Sequence, residues 1–164
     1  MANIKINIPF VKQINDYFCG PASLQMLFNY HNCTKTQEEL AEIMGTEKAV
    51  GTKKKNMIKA VKRHGFHYCA KENSYIEEIE NFLKNKIPVV VNFIEPSDDD
   101  SHYAVVIGSD KDEFIFSDPW NGDNFRLLKK EFLKRWYGFE DNRKKWMLAI
   151  SREPFCRCTC SEQD

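Results

Sequence analysis

Pro88 divides this chain into two kinds of apolar pattern. Before it, hydrophobic residues recur at helical spacing. After it they come in strand-length runs, the strongest being Val89-Val90-Val91-Asn92-Phe93-Ile94. A short continuous apolar run rich in β-branched residues and bounded by turn signals reads as a buried strand. The helical half is well punctuated. Gly20-Pro21 opens a dense apolar helix through His31, with proline in the first turn, where a missing N–H does no harm. Thr36 and Glu39 form a capping-box signal for a second helix to about Met44, and Gly45 stops it. A third helix is expected over Asn56 to His64, and a fourth from a Ser74–Glu77 start to about Asn85.

Beyond Val89–Ile94, strands are expected over His102 to Ile107 and Glu113 to Ser117, the two forming a hairpin. Asp118-Pro119-Trp120-Asn121-Gly122 is a turn cluster, followed by Phe125, Leu127 and Leu128 leading into a helix, Lys130 to Trp136. Trp146 to Ser151 closes the sheet. Ile4 to Ile8 alternates and ends at Pro9, a short strand or extended arm. The class is α+β, an N-terminal helical half packed on a C-terminal antiparallel sheet.

At 164 residues the chain has the size of one domain. The reading ends that domain at residue 152 and leaves 153–164 as a cysteine-rich tail expected to be disordered. Of six cysteines, Cys156, Cys158 and Cys160 crowd this tail, at a spacing that suits zinc poorly. Lys+Arg and Asp+Glu both number 24, so no global field favours nucleic acid or an anionic membrane. Lys53-Lys54-Lys55 reads as a solvated loop or helix start. No apolar stretch approaches the ~20 residues that span a bilayer, and Met1-Ala2-Asn3-Ile4-Lys5 has no signal-peptide pattern. A cytoplasmic location with all six thiols reduced is the expectation. The sequence is silent on oligomeric state.

Cys19 stands directly before a helix. The positive end of the helix dipole favours a thiolate there, and the Cys19 N–H is available to an oxyanion. Gly20 leaves the backbone unobstructed beside the sulfur. A small buried hydrophobe is an equally good reading of Cys19 taken alone. Gln13, upstream, carries an amide able to donate to the same oxyanion, or is an ordinary surface glutamine. His102 opens an apolar strand and suits a general base, or is a strand-end histidine. His31 and His64 sit near helix C-termini, and His67 lies in a connection. Asp118 ends the neighbouring strand, where a hairpin can set it beside His102 to orient the ring, or it simply starts the Asp-Pro turn.

Gln13, then Cys19-Gly20-Pro21-Ala22-Ser23-Leu24, then His102-Tyr103-Ala104-Val105-Val106-Ile107-Gly108, then Asp118-Pro119 resembles the papain-like peptidases that process bacteriocin precursors at double-glycine leaders. The likeness runs over roughly residues 8 to 150, and Gly51-Thr52 fits a similar turn in relatives. It implies a papain-like fold with Cys19 as nucleophile, His102 as base, Asp118 orienting the histidine and Gln13 lining the oxyanion hole. It also implies a peptide or protein substrate and no metal or cofactor. The best-known members are N-terminal domains of ABC transporters, whereas this chain contains no transmembrane or nucleotide-binding part. Cys-Gly, a small residue and Ser-Leu also resemble phytochelatin synthase, which implies acyl transfer or transpeptidation. Leader-binding relatives that have lost their cysteine give a third alternative, a non-catalytic peptide-binding module. The acidic triplet Asp98-Asp99-Asp100 is expected to raise the His102 pKa and to disfavour acidic substrates at that rim.

Overall fold

The computed structural model describes residues 3–139, 144–157 and 159–160. Its elements, in chain order, are β1 (Ile4–Lys5), α1 (Cys19–Tyr30), α2 (Gln37–Met44), α3 (Lys54–Arg63), β2 (His67–Lys71), α4 (Ile76–Lys84), β3 (Val89–Ile94), β4 (Ser101–Ser109), β5 (Glu113–Asp118), β6 (Gly122–Leu128), α5 (Lys129–Arg135) and β7 (Met147–Ser151). The strands form one antiparallel sheet in the order β2-β7-β3-β4-β5-β6, with β1 paired to β4.

Strand side chains alternate between faces, and here both faces are covered. Tyr103, Val105 and Ile107 of β4 pack with Leu24, Leu27 and Phe28 of α1, Leu40 and Met44 of α2, and Met57 and Val61 of α3. Ala104 and Val106 face the other way, into Ile79, Phe82 and Leu83 of α4 and Phe132 of α5. This explains why β3 is buried at every position and reads as an unbroken apolar run. Phe93, Phe116 and Phe132 stack in the second layer, with ring centroids 5.4–5.9 Å apart.

The α+β expectation holds, with α1 to α3 on one face. Two strands were not foreseen. β2 lies where a connection around His67 was expected, and β6 lies where Phe125, Leu127 and Leu128 were expected only to lead into a helix. Both are edge strands. Paired on one side only, they carry charged and half-exposed residues and lack the apolar signature of β3. The Thr36–Glu39 capping box is present in both directions, at 3.1 and 2.8 Å, and Gly45 ends α2 in the left-handed region. The start of α4 is shifted by one residue: the Glu78 carboxylate accepts from the Tyr75 N–H at 2.7 Å. α3 begins at Lys54 rather than Asn56.

The expectation of six reduced thiols is corrected, because Cys69 and Cys160 form a disulfide. Cys69 is fully buried on β2, and the bridge holds Cys160 against the second layer. Phe155 lies edge-on to Phe82 at 5.8 Å. Of the described tail residues, Phe155 and Cys160 pack against the second layer. Cys158 and residues 161–164 lie outside the described residues.

Candidate active site

Cys19 is the first residue of α1. Phe18, the N-cap, provides no side-chain hydrogen bond to the helix, and Pro21 has no N–H. The uncapped first turn therefore turns its partial positive charge toward Cys19. Gly20 has a different role from the one expected of it. A Cβ built there would stand 2.4 Å from Thr52 Oγ1 and 2.7 Å from Thr52 Cβ. The helix start is thus pressed onto the Gly51–Thr52 turn. Thr52 is itself held by the Tyr103 hydroxyl, which donates to its carbonyl at 2.9 Å, and by the Thr46 hydroxyl at 2.8 Å. Tyr103 neighbours His102, so one chain of contacts ties helix and sheet together beside the thiol.

His102 is buried at the start of β4, and its ring meets Phe93 edge-on at 5.8 Å. Its Nε2 donates to Asp118 Oδ1 at 2.7 Å, and Cys19 lies close enough to act on the ring. Burial alone would depress the His102 pKa. The hydrogen bonds to Asp118 and Cys19, with the negative charge of both, outweigh burial and push it up to about 10. Asp118 is fully buried, which favours its neutral form, yet the His102 bond and the Trp120 and Asn121 amides hold its pKa below the usual carboxylate range.

The acidic triplet does not produce the His102 shift, contrary to expectation. All three residues are exposed; Asp99 pairs with Arg135 at 2.7 Å, and Asp100 accepts from the Ser101 N–H at 2.8 Å. The charges that act are those in direct contact.

Gln13 is buried, not a surface residue, and its N–H donates to Pro119 O at 3.0 Å. Its Nε2 donates to Asn15 O at 2.7 Å, and its Oε1 is buried without a partner. The structure therefore brings Cys19, His102 and Asp118 together and anchors Gln13 to the turn after Asp118. The other histidines belong elsewhere. His31 and His64 pack around Phe28 and Phe66, and His67 lies on β2.

A cleft of about 820 Å³ opens beside Cys19. Val50, Gly51, Lys53 and Lys55 line one wall, with Asn92, Ser101, Tyr103 and Phe139 also facing the cleft. The lysine run is indeed a helix start, but Lys54 is buried, with Nζ 5.6 Å from the Trp146 ring centroid. Sequence reasoning missed Asn121, which bonds to Asp118, and Glu95, which bonds to Asn121. The Asp-Pro-Trp-Asn-Gly turn was the signal for Asn121; nothing in the sequence singled out Glu95. Among the described residues no group of three or more His, Cys, Asp or Glu could hold a metal, and no helix is long and apolar enough to cross a membrane.

Comparison with known proteins matches this architecture. An uncharacterized protein of Methanothermobacter thermautotrophicus is 30% identical over 126 residues, covering 76% of this chain and 80% of that one. The peptidase domain of Streptococcus ComA, a bifunctional ABC transporter of a quorum-sensing pathway, superposes with a TM-score of 0.71 at 24% identity, over 88% of this chain and 98% of that one. A double glycine motif protease from an AMS/PCAT transporter, solved with its leader peptide, gives a TM-score of 0.69 at 20% identity, over 92% and 98%. The fold is the papain-like fold of these peptidase domains. Residues 5–143 match the profile of the Peptidase_C39 like family, and the chain belongs to that family.

Proposed function

We propose that this protein is a cysteine peptidase that cleaves a leader or propeptide through Cys19, His102 and Asp118. The observation that carries the reading is the buried His102 ring, bonded to Asp118 through Nε2 at 2.7 Å and acted on by nearby Cys19. A histidine so held, its pKa raised by Asp118 and Cys19, can take and keep the proton of the attacking thiol, which such chemistry needs. The thiolate attacks the scissile carbonyl, and the oxygen takes up negative charge against the Cys19 N–H and the Gln13 amide. His102 gives its proton to the leaving amine as the C–N bond breaks, leaving a thioester. Neutral His102 then takes a proton from water, whose oxygen attacks the thioester and releases the acid and Cys19.

Family membership and the leader peptide held by the AMS/PCAT relative support a peptide substrate. The cleft supports one in extended form, with exposed Val50 and Phe139 offering apolar contacts. The test is incubation with a synthetic peptide carrying a Gly-Gly leader terminus, read by mass spectrometry with and without added hydroxylamine. Cleavage by the wild type and none by Cys19→Ala is the expected result. Equal cleavage by both variants refutes the nucleophile. A product that is mainly the hydroxamate, even when the amine is dilute, replaces hydrolysis with acyl transfer.

A further inference from the structure

We infer that Asn121 is a positioning residue, held by Glu95, which fixes the Asp118 carboxylate that orients His102; the inference rests on the Cys19–His102 reading above. Asp118 Oδ1 carries three donors: His102 Nε2 at 2.7 Å, Trp120 N at 2.9 Å and Asn121 N at 3.0 Å. Its Oδ2 accepts from a single side chain among the described residues, the Asn121 amide, at 3.2 Å. The same Nδ2 donates to Glu95 Oε2 at 3.3 Å. One NH₂ group thus lies between two carboxylates.

Carboxylates only accept, so both hydrogens of that amide are committed and its oxygen must face away. Glu95 thereby sets which end of Asn121 meets Asp118. Glu95 is itself locked: Oε2 accepts from the Ser97 N–H at 2.8 Å and the Ser97 hydroxyl at 2.7 Å, and Oε1 accepts from the Asp98 N–H at 2.6 Å. It stands 3% exposed, immediately after β3, in the turn that leads to His102. Trp120 Nε1 reaches Ser97 Oγ at 3.3 Å and links the same two segments again. The turn before the histidine and the turn after the aspartate are joined through this amide. Without it, Oδ2 loses its side-chain donor and the carboxylate is held through Oδ1 alone, about which it can pivot, so the imidazole meets a less fixed partner.

The charged groups around Asn121 are Asp118 from β5 and Glu95 from the end of β3, with His102 of β4 behind Asp118. Arg135 of α5 also reaches Ile94 O at 3.3 Å. Asn121→Asp therefore adds a third carboxyl to a close pair. Protonated, it can still donate one hydrogen; ionised, it only repels.

The experiment is the rate of iodoacetamide labelling of Cys19, with Cys33 and Cys156 as internal references, from about pH 5 to about pH 9. It needs no substrate. For N121A, labelling at neutral pH is expected to fall by roughly tenfold or more, and kcat on a cleaved peptide by roughly tenfold to a hundredfold with little change in KM, the reach of one hydrogen bond to a charged group. For N121D, labelling matches the wild type at the acid end and falls away as pH rises. A wild-type profile for N121A, or an N121D deficit equal at every pH, overturns the proposal. If N121A does not fold, the N121D profile decides alone. If Cys19 of the wild type labels no faster than Cys33, the parent reading has failed, and the positioning role falls with it.

Discussion

Replacing Gly20 by alanine adds one methyl group where there is no room for it. The new Cβ would lie 2.4 Å from Thr52 Oγ1, 2.7 Å from its Cβ and 3.2 Å from its Cγ2. Rotating the threonine does not relieve the clash, because its Cβ is itself inside contact distance and does not move with χ1. Nor can the turn retreat freely, since Tyr103 holds the Thr52 carbonyl at 2.9 Å and Thr46 holds its hydroxyl at 2.8 Å. Overpacking of this kind costs roughly 1–3 kcal/mol. The displaced element is the first turn of α1, which carries the sulfur that faces His102. A shift of about 1 Å in a reacting group is worth about a hundredfold in rate. Gly20→Ala should therefore lower the rate of peptide cleavage by about a hundredfold, a barrier change of about 2.7 kcal/mol that is comparable with its cost in stability.

Rescue tests the cause. Thr52→Ala keeps the Cβ at 2.7 Å and should not restore the Gly20→Ala protein. Thr52→Gly removes it and should. The assay is urea unfolding together with the Cys19 labelling rate for the four members of the Gly20/Thr52 cycle. A favourable coupling of about 1 kcal/mol or more between Gly20→Ala and Thr52→Gly is expected, as for residues in direct contact. Additivity within about 0.3–0.5 kcal/mol refutes the steric argument, and so does Gly20→Ala labelling at the wild-type rate.

Asp118→Asn replaces an acceptor of four hydrogen bonds by a group that must also donate, so kcat should fall by at least about a hundredfold; kinetics within about threefold of the wild type would contradict the orienting role. The His102 pKa is raised above its ordinary value to about 10, so the stability it contributes is fully present below about pH 6.5 and is lost as pH rises toward 10. Measured against His102→Gln, the wild-type advantage in unfolding free energy should shrink over that window, and a constant difference argues against the shift. The Cys69–Cys160 bridge spans 91 residues, and by chain entropy its loss in Cys160→Ser should cost roughly 4–5 kcal/mol. Peptide mapping without reductant should recover the linked pair; two free thiols there, or an unchanged unfolding curve, would exclude it. Lys53 and Lys55 are exposed on the cleft wall, so reversing both to glutamate should raise KM severalfold for acidic peptides, an effect that fades as salt rises. Equal KM values for acidic and neutral peptides would remove charge from the specificity.

Much of the frame was legible because burial leaves a period in the sequence. β3 is an unbroken apolar run because layers cover both its faces, and α2 announces itself through the Thr36–Glu39 box. β2 and β6 were not legible, because an edge strand has no second neighbour and tolerates His67, Lys71, Asp123 and Arg126. At the site, Cys19 at a helix start and His102 and Asp118 at strand ends could be read from local position. What surrounds Asp118 could not. Glu95 and Asn121 are 26 residues apart and meet only because β3 and β5 flank β4. The disulfide was hidden for a related reason, since spacing alone does not pair cysteines. The acidic triplet misled by nearness in sequence: exposed carboxylates are screened by water, whereas the Asp118 carboxylate acts on the ring in direct contact and out of solvent.

Two readings of Asp118, turn starter or partner of histidine, prove not to compete. The Trp120 and Asn121 amides that close the turn donate to the same oxygen that receives His102 Nε2. The turn is what makes the carboxylate rigid, and rigidity is what the imidazole requires of it. Gly20 shows the same union on the other side of the cleft. Its missing side chain lets Thr52 and Tyr103 brace the helix start, and Tyr103 sits next to the histidine. Each half of the molecule thus holds its own member of the proposed catalytic pair through contacts that also stabilise the fold. Substitutions in this shell should therefore lower stability and rate together. The labelling rate of Cys19 at matched stability is the quantity that separates the two.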